Sequence, residues 1–218
     1  NMLADAAIYD DETHTSVHAF DLKTARSGHT QVAVYDENDE YAGMLICGGA
    51  AAENKLCEWW SADSEGSRVI ESELREVLTG QAAATLSNGR ALIVGGNIDG
   101  TPGDSALLFR YSCLESDCEA LKRIDSLLEI PRSQASLSSF GSGLLLCGGR
   151  DASGSILASC EVLMIGEDTN ITHYSTIEMA HARVGHASAL LPDGNILIAG
   201  GWNESEGALD SLEIYTPQ

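Results

Sequence analysis

Arg183-Val184-Gly185-His186-Ala187-Ser188-Ala189-Leu190-Leu191-Pro192-Asp193-Gly194-Asn195-Ile196-Leu197-Ile198-Ala199-Gly200-Gly201 decides how this chain is read. An apolar run over 196–199 ends in paired glycines, Asp193-Gly194 upstream is a turn signal, and the segment 186–191 before it is strand-like. Together these describe a β-hairpin. The pattern occurs four times: Gly48-Gly49, Gly95-Gly96, Gly148-Gly149 and Gly200-Gly201 are spaced by 47, 53 and 52 residues. Periods near 50 mark a repeat architecture. The other runs are Met44-Leu45-Ile46-Cys47, Ala91-Leu92-Ile93-Val94 and Leu144-Leu145-Leu146-Cys147, with turn signals at 36–43, Asn88-Gly89 and Gly141-Ser142-Gly143.

After each glycine pair comes a polar loop and a third strand, clearest in Ser211-Leu212-Glu213-Ile214-Tyr215, with counterparts at 57–60, 107–111 and 159–163. Their last residues, Trp60, Tyr111, Leu163 and Tyr215, step by 51, 52 and 52, and Tyr9 in Ala6-Ala7-Ile8-Tyr9 lies 51 before Trp60. A fourth strand-like segment follows at 16–22, 68–74, 120–127 and 171–179. Arg26, Arg132 and Arg183 then open the next unit, with Thr79 as the odd one out. Four antiparallel strands per unit, without helical periodicity, describe a propeller blade.

Arg183-Val184-Gly185-His186, Asp193-Gly194, Ile198-Ala199-Gly200-Gly201 and Ser211-Leu212-Glu213-Ile214-Tyr215 resemble the kelch repeat, as do Arg26-Ser27-Gly28-His29 and Cys47-Gly48-Gly49. The second and third units depart from it, with Gln81 and Ala135 in place of His29 and His186. The resemblance implies an all-β, kelch-type β-propeller of the superfamily that includes galactose oxidase. It covers 1–218 as one domain, with units near 10–60, 61–111, 112–163 and 164–215 and a strand of a preceding blade at 1–9. It also implies pairing or backbone hydrogen bonding between blades by Arg26, Arg132, Arg183, Glu58, Glu161 and Glu213. Such rings usually have six or seven blades, so the chain reads as an arc of a larger one, with further blades or partner chains covering its open faces. The alternative has 16–22 serve as the missing fourth strand of the last blade and close a compact four-bladed ring.

The internal repeat also orders the six cysteines. Cys47 and Cys147 both precede a glycine pair, and Cys57 and Cys160 both precede a glutamate; the other two units read Val94 with Leu108 and Ala199 with Leu212. Both positions are Cys together or apolar together, on adjacent strands close enough for a disulfide. That pairs Cys47 with Cys57 and Cys147 with Cys160, and leaves Cys113 with Cys118. Three disulfides imply an oxidising compartment: extracellular, cell surface or periplasmic. The segment 1–10 lacks the features of a signal or transit peptide, so the chain reads as a mature form or an excised piece. Asn170-Ile171-Thr172 and Asn203-Glu204-Ser205 are glycosylation sequons.

The 218 residues carry 33 acidic and 12 basic side chains, a net charge of −21, with 44% apolar content. That is a globular composition with enough chain for a core. An acidic surface repels phosphate backbones, so nucleic acid is not an expected partner. No stretch approaches the roughly 20 apolar residues of a membrane-crossing helix. There is no Gly-x-Ser-x-Gly, no phosphate-cradling loop and no His-Glu-x-x-His; His14 and His18 have the zinc-protease interval without the Glu. A copper radical site like that of galactose oxidase needs a Cys crosslinked to Tyr, but here every Cys has a disulfide partner. The acidic run 36–40 is a solvated loop rather than a calcium loop, and no cofactor or metal is expected. Trp59, Trp60 and Trp202 read as packing residues first, with Trp202 on a loop where it can stack a ligand.

What remains is a rigid scaffold presenting the variable loops 50–56, 97–106, 150–158 and 202–210. The candidate binding residues are Trp202, Asn203, Asn97, Asp99, Arg150 and Asp151. The expected function is an extracytoplasmic module that binds a protein or glycan, or plays a structural part, with no catalytic residue assigned. The alternative is a carbohydrate-active propeller enzyme, an isomerase, lyase or oxidase, with its site in the central channel.

Overall fold

Along Ile171–Glu178 covered and exposed side chains alternate with period two, which a strand packed on one face requires. Ala91, Leu92, Ile93 and Val94 are by contrast all within 1% of full burial, as in a strand covered on both faces. These two patterns recur through a computed structural model of the protein, which describes residues 3–51, 57–70, 78–166 and 170–217 and is all-β.

The strands form small antiparallel sheets in which sequence order is spatial order. The first sheet holds Thr30–Tyr35, Tyr41–Cys47, Cys57–Trp60 and Arg68–Val69. The second holds Ala82–Leu86, Arg90–Val94, Ala106–Arg110 and Leu121–Ile124. The third holds Ser136–Phe140, Gly143–Cys147, Ser159–Ile165 and Ile171–Glu178. The fourth has three strands, Ala187–Leu190, Ile196–Ala199 and Leu212–Tyr215. An N-terminal hairpin of Leu3–Asp10 and Thr15–Ser27 precedes them. Parts of two expected segments, 52–56 and 71–74, lie outside the described residues.

Three apolar clusters join the sheets face to face. Leu45, Cys47 and Trp59 of the first meet Ile93, Leu107 and Phe109 of the second. Leu92, Val94 and Leu108 meet Leu144, Leu146 and Leu163, and Leu145, Cys147 and Val162 meet Ile196 and Ile198. Each such side chain contributes about 1.5–3 kcal/mol on full burial. First strands of successive sheets lie side by side, tied by Thr85 Oγ1 donating to Ala33 O at 2.7 Å and by Ser138 Oγ against Ser188 Oγ at 2.7 Å.

The ladders correct the register expected for the second unit. Val94 lies opposite Ala106, not Leu108, and Ala91 opposite Phe109, the position of Trp60, Leu163 and Tyr215 in the other sheets, so Tyr111 is not the counterpart. Ile93 opposite Leu107 matches Ile46–Glu58, Leu146–Glu161 and Ile198–Glu213. Leu78, rather than Thr79, stands where the others have arginine, since Gly49 N donates to Leu78 O as Gly96 N does to Arg132 O and Gly149 N to Arg183 O, at 2.7, 2.8 and 2.9 Å. The second glycine of each pair has positive φ, +85°, +87°, +94° and +96°. At Gly149 a Cβ would stand 2.5 Å from Ser133 O, so only glycine lets the strand turn there and reach the next sheet.

The arginines and glutamates do pair, but within a unit rather than between blades as the resemblance implied. Arg26 meets Glu58 and Arg132 meets Glu161, each at 2.7 Å with both side chains fully enclosed, and Arg183 meets Glu213. The guanidinium groups also donate to Gly48 O, Gly148 O and Gly200 O. The carboxylates accept from backbone N–H groups of the incoming linker, Glu58 from Lys23 and Thr24, Glu161 from Glu129 and Ile130, and Glu213 from Ala180 and His181. Each pair therefore fastens a unit's entry segment to its own third strand, and the charge stays satisfied in a dry setting.

The disulfides are Cys47–Cys57, Cys113–Cys118 and Cys147–Cys160. Thr15–Ser27 lies beside Leu3–Asp10 rather than on the free edge of Leu212–Tyr215, so the compact four-bladed closure does not form. No ring is closed among the described residues. No helix of the described residues is long and apolar enough to cross a membrane.

Candidate functional site

Each glycine pair is followed by a two-residue strand rather than by irregular loop. Ala50–Ala51 pairs with Arg26 and Ser27, Asn97–Ile98 with Leu78–Thr79 and with Thr101–Pro102, and Arg150–Asp151 with Arg132–Ser133. Trp202–Asn203 pairs with Gly207–Ala208, and Trp202 also bridges Val184. Asn97, Arg150 and Trp202 thus occupy one equivalent position, each directly after a glycine pair, at the end of the sheets where the second strand hands over to the third.

Five of the candidate side chains are at least partly accessible and one is not. Trp202 is 43% exposed. Arg150 donates to Gly154 O and lies 3.6 Å from Glu204, so that loops of the third and fourth sheets meet. Asp151 closes its own turn, accepting from Ser153 N at 2.8 Å, Ser155 N at 2.9 Å and Ser153 Oγ at 2.7 Å. The Ser153 hydroxyl and these backbone donors hold its carboxyl below the usual range. Asn97 is half-buried, and Asp99 is an exposed turn residue at φ 49° ahead of Gly100.

Asn203 is 5% exposed and spends its polar atoms internally. Its Oδ1 accepts from Ser205 N and Glu206 N, and its Nδ2 donates to Ala182 O and Glu206 Oε1, each at about 3 Å. It shapes the loop that carries Trp202 and has no donor left for a ligand. Sequence reasoning missed Glu204, whose signal was an acidic side chain two places after Trp202, facing the basic Arg150 of the neighbouring unit. Trp59 and Trp60 both pack. Trp59 is 4% exposed and stacks on Phe109 with centroids 5.4 Å apart, whereas the half-buried Trp60 stacks on Phe20 at 4.7 Å. His18 pairs with Asp21 and His14 with Tyr9, apart from each other. No group of three or more metal-binding side chains occurs among the described residues.

His186 belongs to the same end and is tuned by burial. Its Nε2 lies 2.8 Å from Ser136 Oγ, and the ring packs on Gly148, where a Cβ would come within 2.7 Å of it. Burial, reinforced by the Arg183 charge, pushes its pKa down from 6.5 to about 4. The unfolded chain takes up a proton near 6.5 while the folded ring stays neutral down to about 4, so stability falls as the pH drops through that window. The expected loss at pH 4 relative to pH 7 is about 1–3 kcal/mol from this group. Gln81 fills the equivalent position and donates to Cys47 O at 2.8 Å. His186→Gln should therefore flatten the dependence of the urea midpoint between pH 4 and 6.5; an unchanged slope would assign it to other groups.

The fold and this rim define an all-β repeat protein of stacked antiparallel meanders, three of four strands and one of three, with its variable side chains at one end. No family model matches the chain, and neither does any curated protein.

Proposed function

We propose that the chain is an arc of a kelch-type propeller, working outside the cytoplasm, that binds a protein or glycan through the short strands and turns after its glycine pairs. The observation that carries this reading is the meeting of two such loops at Arg150 and Glu204, the second of which also bears Trp202, 43% exposed although its neighbour Asn203 is locked in place. An ordered loop bearing an exposed indole is a low-entropy anchor for a partner. Three disulfides fit an oxidising environment. The net charge of −21 favours a basic partner, whose binding weakens with salt.

Trp202 fluorescence under titration with oligo-arginine peptides and with a panel of neutral oligosaccharides tests it. Trp202→Ala is expected to weaken the productive interaction by about tenfold or more, the scale of an aromatic hot spot, without moving the melting temperature. A basic peptide ligand should lose affinity between 50 and 500 mM salt, on the order of tenfold, whereas a neutral glycan should not. Binding that survives Trp202→Ala unchanged would remove this end of the molecule from recognition.

A further inference from the structure

The outer face of the fourth sheet repeats, uncovered, a surface that the chain covers three times over. Leu212 and Ile214 are 65% and 63% exposed, while Cys160 and Val162, their equivalents in the third sheet, are 1% and 4% exposed beneath the fourth. Leu197 and Ala199 on the adjacent strand complete the face, matching Leu145 and Cys147. The backbone supplies a second, independent sign. Gly201 has a positive φ, +96°, like Gly49, Gly96 and Gly149, and its carbonyl accepts from Leu209 N as Gly149 O does from Leu157 N. Yet its N–H, alone of the four, has no acceptor among the described residues. Among the described residues the third strand of the fourth sheet also has no partner on its outer edge, whose Tyr215 end lies at a groove of about 660 Å³ lined with Val162, Met164, Tyr174 and Ile177. In the first three sheets that edge is paired by a fourth strand.

We infer that this face, with the Gly201 N–H, is a docking surface for a further four-stranded sheet of the same repeat. Its occupant is specified by what fills the three internal interfaces. Its second strand presents aliphatic side chains at the positions of Ile93, Leu146 and Ile198, and the residue at the Leu78, Arg132 or Arg183 position offers its carbonyl to Gly201 N–H. A strand preceding that sheet pairs with the edge of Leu212–Tyr215 and enters the groove beside Tyr215. The surface is selective because a sheet with polar residues at those positions would bury them without partners. The inference rests on the stacked-arc reading, and the test separates the two.

Amide hydrogen exchange at the four second glycines reads the interface directly. In the chain as it stands, Gly49, Gly96 and Gly149 should be protected and Gly201 should exchange freely; free exchange at Gly96 and Gly149 would overturn the stack itself. Joining a second copy of residues 166–217 after Gln218 supplies a fourth strand for the fourth sheet and the first three strands of a further one, with isoleucine and arginine at the specified positions, and Gly201 protection should then rise by about 100-fold or more. Gly201 still free in that extended chain, with Gly149 protected, would overturn the docking inference alone. So would Gly201 protected in the unextended monomer, which means closure of the chain on itself, or protected only on dimerisation, which makes a second copy the occupant. Should the extended chain not fold, Leu212→Asp with Ile214→Asp in the unextended chain decides the matter. It should leave the melting temperature nearly unchanged while Val162→Asp lowers it steeply, and equal losses would show the face already covered.

Discussion

Arg132→Ala should destabilise the protein by about 3–5 kcal/mol, because it strands the Glu161 carboxylate in a site with no exposure. The chain carries its own control for this experiment. In the second unit Leu78 and Leu107 replace the arginine and glutamate together, each 5% exposed within one apolar cluster. Arg132→Leu combined with Glu161→Leu should therefore recover much of the loss. It should not recover all of it, since Glu129 N and Ile130 N would lose their acceptor, a cost of about 1–2 kcal/mol. Urea unfolding of the single and double variants measures the difference. A double variant as unstable as Arg132→Ala would show that the pair contributes more than charge neutralisation.

Removing the Cys147–Cys160 disulfide is the second large effect expected. The sequence separation of 13 gives a loop-closure contribution of about 3 kcal/mol. The second sheet shows how to remove the bond without opening a cavity, since Val94 and Ala106 occupy the corresponding pair. Cys147→Val with Cys160→Ala should lower the stability by about that amount in oxidised protein. Cys113–Cys118 closes a separation of only 5, so its removal should cost less, about 2 kcal/mol. Thermal melts of the two double variants rank them. The reverse order would mean that the exposed turn around the 3-10 helix Tyr111–Cys113 supplies more than chain entropy.

The all-β meander, the glycine pairs and all three disulfides were legible in the sequence because each rests on residue types with narrow conformational or covalent requirements. The second unit was misread by two residues along Ala106–Arg110, and the reason is the strand period. A shift of two keeps every side chain on its own face, so an apolar run such as Ala106-Leu107-Leu108-Phe109 fits either register. Elsewhere the glutamate beside the disulfide or core pins the register, and in this unit leucine replaces it. Asn203 was misread for a different cause. An asparagine after a glycine pair looks available in sequence, but its turn closes through side-chain bonds to Ser205 and Glu206 that depend on chain direction. Glu204 escaped notice because its pairing with Arg150 spans two units, and the repeat pattern compares equivalent positions, not neighbouring ones.

The bond from Gly49, Gly96 and Gly149 to the following sheet runs from one backbone amide to one backbone carbonyl, and neither atom carries a residue's identity. Arginine and leucine serve equally as the acceptor, and the faces it draws together are built from interchangeable aliphatic side chains. A junction of this kind asks of the following unit chiefly that its facing side chains be apolar. Duplication, deletion or shuffling of whole units would leave every joint intact, so the length of such a chain can drift over generations while its end-on loops diversify independently.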